Sequence, residues 1–254
     1  IKAFAHRDDR IVAMQAEQLH RERASGHLPG PLYGVPVAVK DIIDTFDFPT
    51  EFGSKIHEGR FSVCDATVVS RLRAAGAVIF GKTVTTEFAT TQPGPTCNPH
   101  NITHTPGGSS SGSAAAVAAG MVPVALGSQT NGSMIRPASF CGVYAFKPSR
   151  GLFPRTGVLD QSPSLDEVGV FARNLEDIAK VAEIMSGDDG HDAATARQAP
   201  RRLFDAAVSE PPLRPKFCFV KTPWWDQVEP EAREAYEAFV DHLGDCVEYV
   251  ELPD

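Results

Sequence analysis

No stretch of this sequence is apolar for long enough to cross a membrane, and its first residues carry no secretory-signal pattern. It has no Cys-x-x-Cys pair. Its five cysteines, Cys64, Cys97, Cys141, Cys218 and Cys246, are odd in number and widely spaced, which argues against a disulfide framework and for reduced thiols in a cytoplasm. Basic clusters are also missing: the net charge of -8 argues against direct nucleic-acid binding, which leans on gathered Lys and Arg. The metalloprotease pattern His-Glu-x-x-His does not occur. His100 and His104 have i, i+4 spacing, but Pro99 places them in a loop, so they read as surface residues and no metal site is expected.

What is present suits a globular protein: of 254 residues, 42% are hydrophobic and 22% charged. Residues 8 to 25 read as a helix with Ile11, Met14 and Leu19 on one face, stopped by Gly26. Val35 to Val39 reads as a short buried strand, putting Lys40 at a strand end. A helix from an N-cap at Asp65 to Ala75 carries Val68, Val69 and Leu72 inward, followed by a strand at Ala77 to Phe80. Residues 90 to 108, with four prolines, form a long loop of the kind that is usually functional or flexible.

Further along, Ser111 to Ala119 reads as a helix, Val122 to Leu126 as a strand, Gln129 to Ser133 as a turn and Val143 to Phe146 as a strand. Asn174 caps a helix running to Met185, with Ile178, Val181, Ala182 and Met185 at helical spacing, and residues 187 to 215 read as a surface excursion. The tail gives a strand at Phe217 to Val220, a helix at Glu231 to Leu243 with Ala232, Ala235, Tyr236 and Phe239 inward, and a strand at Val247 to Leu252. Trp224 and Trp225 read as a packed surface corner. This alternation predicts an α/β fold: one layered domain over residues 1–254, with a central mixed β-sheet flanked by helices.

Gly76 to Thr83 matches the phosphate-loop pattern G-x-x-x-x-G-K-[ST], but the intervening AVIF reads as a strand, unable to turn its N–H groups toward phosphates. Two other turns carry more chemistry. PGGSSSGS at residues 106 to 113 leads into an Ala-rich helix, and QTNGS at 129 to 133 follows an apolar strand. Taken singly, Lys40 is a strand-end lysine pairing with Asp41 or Asp44, Ser109 to Ser111 are helix caps, and Ser133 is a turn serine. Together they offer a nucleophile and a base, provided that burial or neighbouring charge lowers the lysine pKa from about 10.4. Successive N–H groups of Thr130, Asn131 and Gly132 can point at one spot, as an oxyanion hole requires. Cys141 reads as a core thiol, with no histidine near it in sequence.

With GVPVAVKD at residues 34 to 41, these motifs resemble the amidase signature family, and the resemblance covers nearly all of the chain. It implies that Ser133 is the nucleophile, Ser109 a second serine preceded by a cis peptide bond from Gly108, and Lys40 the base. The implied reaction is hydrolysis of a carboxamide through an acyl-enzyme, without metal or organic cofactor. The sequence departs from the commoner family pattern, which has a second glycine where Asn131 stands and an acidic residue where Gln129 stands; Asn131 is tolerable there if its φ is positive. QTNGSMIRP is most similar to small-amide hydrolases, including malonamidase-like members, which implies that Arg136 holds a substrate carboxylate. A structural ion pair is the other reading of Arg136.

Family members are longer, so the chain is expected to lack a C-terminal portion that completes the sheet and much of the pocket. The expected partner is a small-molecule amide, with a homodimer left open, no membrane and no direct nucleic-acid contact. Two other functions stay open. One is the glutaminase component of a tRNA-dependent amidotransferase; the other is a non-catalytic scaffold of the same fold.

Overall fold

The computed structural model describes residues 1–195 and 202–250. By its internal contacts the chain divides into two compact units, Ile1–Val208 and Ser209–Asp254. No helix among the described residues is long and apolar enough to cross a membrane.

In the first unit six strands form a mixed sheet. They are β1 (Phe4–His6), β2 (Pro36–Lys40), β3 (Val78–Thr83), β4 (Val124–Gln129), β5 (Tyr144–Phe146) and β6 (Glu167–Ala172), in the spatial order β1-β3-β2-β4-β6-β5. β2 runs parallel to both β3 and β4, while β1, β5 and β6 pair antiparallel. The helices are α1 (Asp9–Ala24), α2 (Thr67–Ala74), α3 (Ser111–Ala118), α4 (Ile135–Cys141), α5 (Leu175–Met185) and α6 (Leu203–Val208). Alternation along the strands splits the core in two. Val37, Val39, Val124, Leu126, Val168 and Val170 pack with α2 and α5 residues, while Ala38, Ala125 and Phe171 pack with the Ala run of α3 and with Met134. The mixed, helix-flanked sheet is the architecture expected.

Several local expectations differ. The α1 face is not a buried stripe: Met14 is exposed, and the helix is docked instead by Gln15, whose amide pairs with both the N–H and the C=O of Ile79. Asp65 does not cap α2; its carboxylate accepts from the Phe46 N–H and from Arg73, so Ala66 opens the helix without a side-chain cap. Asn174 caps α5 as expected, accepting from Asp177 N at 2.7 Å. The short strands β1 and β6 and the helices α4 and α6 carry no clear sequence signal; β6 begins at the charged Glu167 and is interrupted by Gly169, which hides its apolar run. The phosphate-loop match is a strand, with Lys82 buried and donating to Thr50 Oγ1 at 2.5 Å, 3.6 Å from Asp41.

The second unit holds a parallel pair, β7 (Phe217–Val220) and β8 (Val247–Val250), and α7 (Pro230–Leu243). Only Val240 of α7 is buried, whereas Tyr236 and Phe239 are about half exposed, because two strands offer too little surface to cover the whole apolar face. Trp225 packs on Phe219 and Tyr236, while Trp224 is exposed. The strand expected to reach Leu252 extends past Val250 outside the described residues, as does the part of the 187–215 excursion at 196–201.

The start of α3 meets the sheet with no space for a side chain at Gly112. Its N–H donates to Val84 O at 2.9 Å, and a Cβ there would lie 2.2 Å from Ala3 O and 2.4 Å from Val84 N. Backbone atoms cannot yield as side-chain ends do. Gly112→Ala is therefore expected to destabilise the protein by about 1–3 kcal/mol in equilibrium denaturation, although alanine is the better helix former.

Candidate active site

β2 delivers Lys40 to the end of the central parallel pair, where its side chain is fully buried. Its Nζ donates to Ser109 Oγ at 2.7 Å and to Ser128 Oγ at 2.8 Å. Neither Asp41 nor Asp44 pairs with it: Asp41 faces Lys82, and Asp44 binds Arg60. Burial pulls the Lys40 amine down from 10.5 to about 7, against the opposing pull of the Asp166 charge. The hydrogen-bond inventory agrees. A neutral amine has two N–H donors and finds two acceptors, whereas an ammonium would bury a third N–H with no partner among the described residues.

Ser109 follows a cis peptide bond from Gly108, at the entry to α3. The capping expected of its neighbours does not occur. Ser110 Oγ donates to Ser128 O and accepts from Ser128 N, and Ser111 Oγ donates to Val84 O, so both hydroxyls stitch the serine loop to the sheet. Ser110 N also donates to Ser133 O at 3.2 Å, which brings the two serine turns side by side. Ser133 itself is 7% exposed, and its hydroxyl makes no hydrogen bond among the described residues. The positive φ of the turn, 123°, falls on Gly132 and not on Asn131. The N–H groups of Thr130, Asn131 and Gly132 find no acceptor among the described residues, and so remain open donors beside Ser133.

Gln129 accepts from the N–H groups of Met134 and Ile135 at 3.0 and 3.1 Å, closing the turn onto the start of α4. An amide oxygen supplies the acceptor that a carboxylate would. Arg136 pairs with no acid among the described residues. Its guanidinium donates to Gly108 O at 3.1 Å and Asn131 O at 3.2 Å, one carbonyl from each serine turn.

A family model for amidases matches residues 1–251. The chain belongs to the amidase family. Among curated relatives, it is 40% identical to the GatA-type component of glutamyl-tRNA(Gln) amidotransferase from Rhodopirellula baltica, over 100% of this chain and 53% of that one. The peptide amidase from Stenotrophomonas maltophilia superposes with a TM-score of 0.83 at 34% identity, covering 99% of this chain and 54% of that one. A chain from a vestigial protein complex that reveals the origins of an s-triazine catabolic enzyme gives 0.87 at 37% identity, covering 100% and 57%. The chain thus spans about half the length of the amidase relatives it matches.

Sequence reasoning missed Ser128, the second acceptor of Lys40, because a serine inside an apolar strand carries no signal of its own. A cavity of about 210 Å³ opens beyond it, lined by Ile42, Ser128, Thr156, Gln161 and Asp166 among others. Neither Ser109 nor Ser133 is in that lining. Cys141 is buried and its thiol is pushed up to about 11 by burial. The nearest histidine contact to it is His100, which bonds the Cys141 carbonyl and not the sulfur.

The low folded pKa of Lys40 has a consequence for stability. Between about pH 7 and 10.5 the unfolded chain holds a proton that the folded protein has released, so stability rises with pH across this window. Lys40→Met is expected to flatten that rise, measured as the denaturation midpoint at pH 7 and pH 9 against the parent.

Proposed function

We propose that the protein hydrolyses a carboxamide C–N bond through an acyl-enzyme on Ser133, with Ser109 and Lys40 as its proton relay, and that residues 1–254 serve as one catalytic domain. The observation that supports this best is the fully buried Lys40 amine on Ser109, with its pKa pulled to about 7. As a neutral amine it accepts the Ser109 proton while Ser109 accepts the proton of Ser133, whose oxygen attacks the carbonyl carbon. The open N–H groups of Thr130, Asn131 and Gly132 receive the tetrahedral oxyanion. The same relay, run backwards, protonates the leaving nitrogen as the C–N bond breaks. Water then takes the place of the amine, is deprotonated by the relay, and releases the acid.

Two refinements belong to this reading. The likeness to the glutamyl-tRNA(Gln) amidotransferase component favours an amide whose nitrogen is handed to a partner protein. Arg136, with two of its five N–H donors spent on backbone carbonyls, keeps others for a substrate carboxylate. No cofactor is called for.

Incubation with a fluorophosphonate followed by peptide mass spectrometry is expected to place the adduct on Ser133. Ser133→Ala should lose both adduct and amide turnover, and Ser109→Ala should slow labelling at least about 100-fold. Labelling that survives Ser133→Ala would move the nucleophile elsewhere, and an unlabelled, inactive wild-type chain would favour a scaffold. Ammonia release from simple amides without a partner would separate a free-standing hydrolase from an amidotransferase component. For Arg136→Leu, KM is expected to rise far more for a carboxylate-bearing amide than for its neutral analogue; equal effects would leave Arg136 as a clamp between the two turns.

A further inference from the structure

Asp166 stands immediately before β6, whose first residue, Glu167, pairs with Gln129 at the end of β4. From there its carboxylate reaches the first residue of the Ser133 turn. Asp166 Oδ1 accepts the hydroxyl proton of Thr130, and Oδ2 accepts from the N–H groups of Gln161 and Ser162, each at 2.7 Å. Three donors fix the carboxylate, and none of them is a cation. Asp166 and Ser128 line the same cavity of about 210 Å³, and Ser128 is the hydroxyl that holds Lys40.

The other charged groups packed around this region are already engaged or of opposite consequence. Asp41 and Lys82 face each other at 3.6 Å, and Arg155, which donates to the Asp166 carbonyl, is paired with Asp192 at 2.9 Å. Glu167 is buried, with its carboxyl pushed up by burial and so drawn toward its neutral form. Asp166 is the charge that acts on Lys40, holding the amine above where burial alone would leave it.

We infer that Asp166 is a positioning residue of this site: through Thr130 it anchors the turn that presents Ser133 and the three open N–H groups, and across the cavity it sets the charge that the Lys40 amine experiences. This rests on the reading of Ser133 as nucleophile and Lys40 as base, and adds to it the group that registers one against the other.

Two substitutions separate the parts. Thr130→Val removes the tether but keeps the charge, and is expected to lower kcat and the fluorophosphonate labelling rate about 10- to 100-fold with KM little changed, while Thr130→Ser restores both. Asp166→Asn removes the charge while its amide can still bond the loop. The acid limb of its pH–rate profile is expected to move to lower pH, because an amine relieved of a nearby negative charge loses its proton more readily. A purely structural aspartate would lower yield or stability and leave that limb in place. Wild-type kinetics in Thr130→Val together with an unmoved limb in Asp166→Asn would overturn the inference while wild-type labelling at Ser133 still stands. Absence of that wild-type label would overturn the underlying reading, and this inference with it.

Discussion

The rest of this architecture is arranged around keeping one amine out of water. Lys40 sits at the end of the strand between two parallel neighbours, with an apolar sheet behind it and two serine hydroxyls in front. Desolvation disfavours its charged form, and the two hydroxyls supply no compensating negative charge. A single carboxylate, Asp166, pulls the other way. Lys82 shows what the same fold does with an amine it keeps as a structural ion. That lysine is also buried, but it has Asp41 at 3.6 Å and its pKa is pulled only to about 8.

The serine turns depend on backbone contacts as much as on side chains. Gly112 lets α3 descend until its first turn touches Val84 and Ala3, which seats the Ser109 to Ser111 loop against the end of β4. Ser110 then bonds both polar groups of the Ser128 backbone, and Arg136 ties Gly108 to Asn131. Sheet, serine loop and nucleophile turn are thereby one connected unit.

Much of this was legible in the sequence. The apolar runs gave β2, β3 and β4 within a few residues, and the Gly/Ser motifs pointed to Lys40 and Ser109, which the fold does bring into contact. What could not be read was whatever depends on partners far along the chain. Asp65 has the composition of a helix cap, yet Arg73 and the Phe46 N–H claim its carboxylate. Gln129 looked like a departure from an acidic position, although its oxygen still closes the turn. Asn131 was expected to carry the left-handed conformation that Gly132 takes instead. In each case local propensity was outweighed by a hydrogen bond or a backbone path that only the assembled sheet defines.

The contacts that hold Lys40 join residues 69 and 88 positions apart. Neither can form by local coiling; each requires a long loop to close, and the strand bearing Ser128 must already lie beside β2. A growing chain that has reached only β3 carries Lys40 as an ordinary, strongly basic lysine, with no hydroxyl neighbour. The weakly basic amine comes into being late, when the central parallel strands zip together and water leaves their ends. Its reactivity therefore belongs to the finished topology and is absent from the incomplete chain, so that the chemistry is switched on by folding itself.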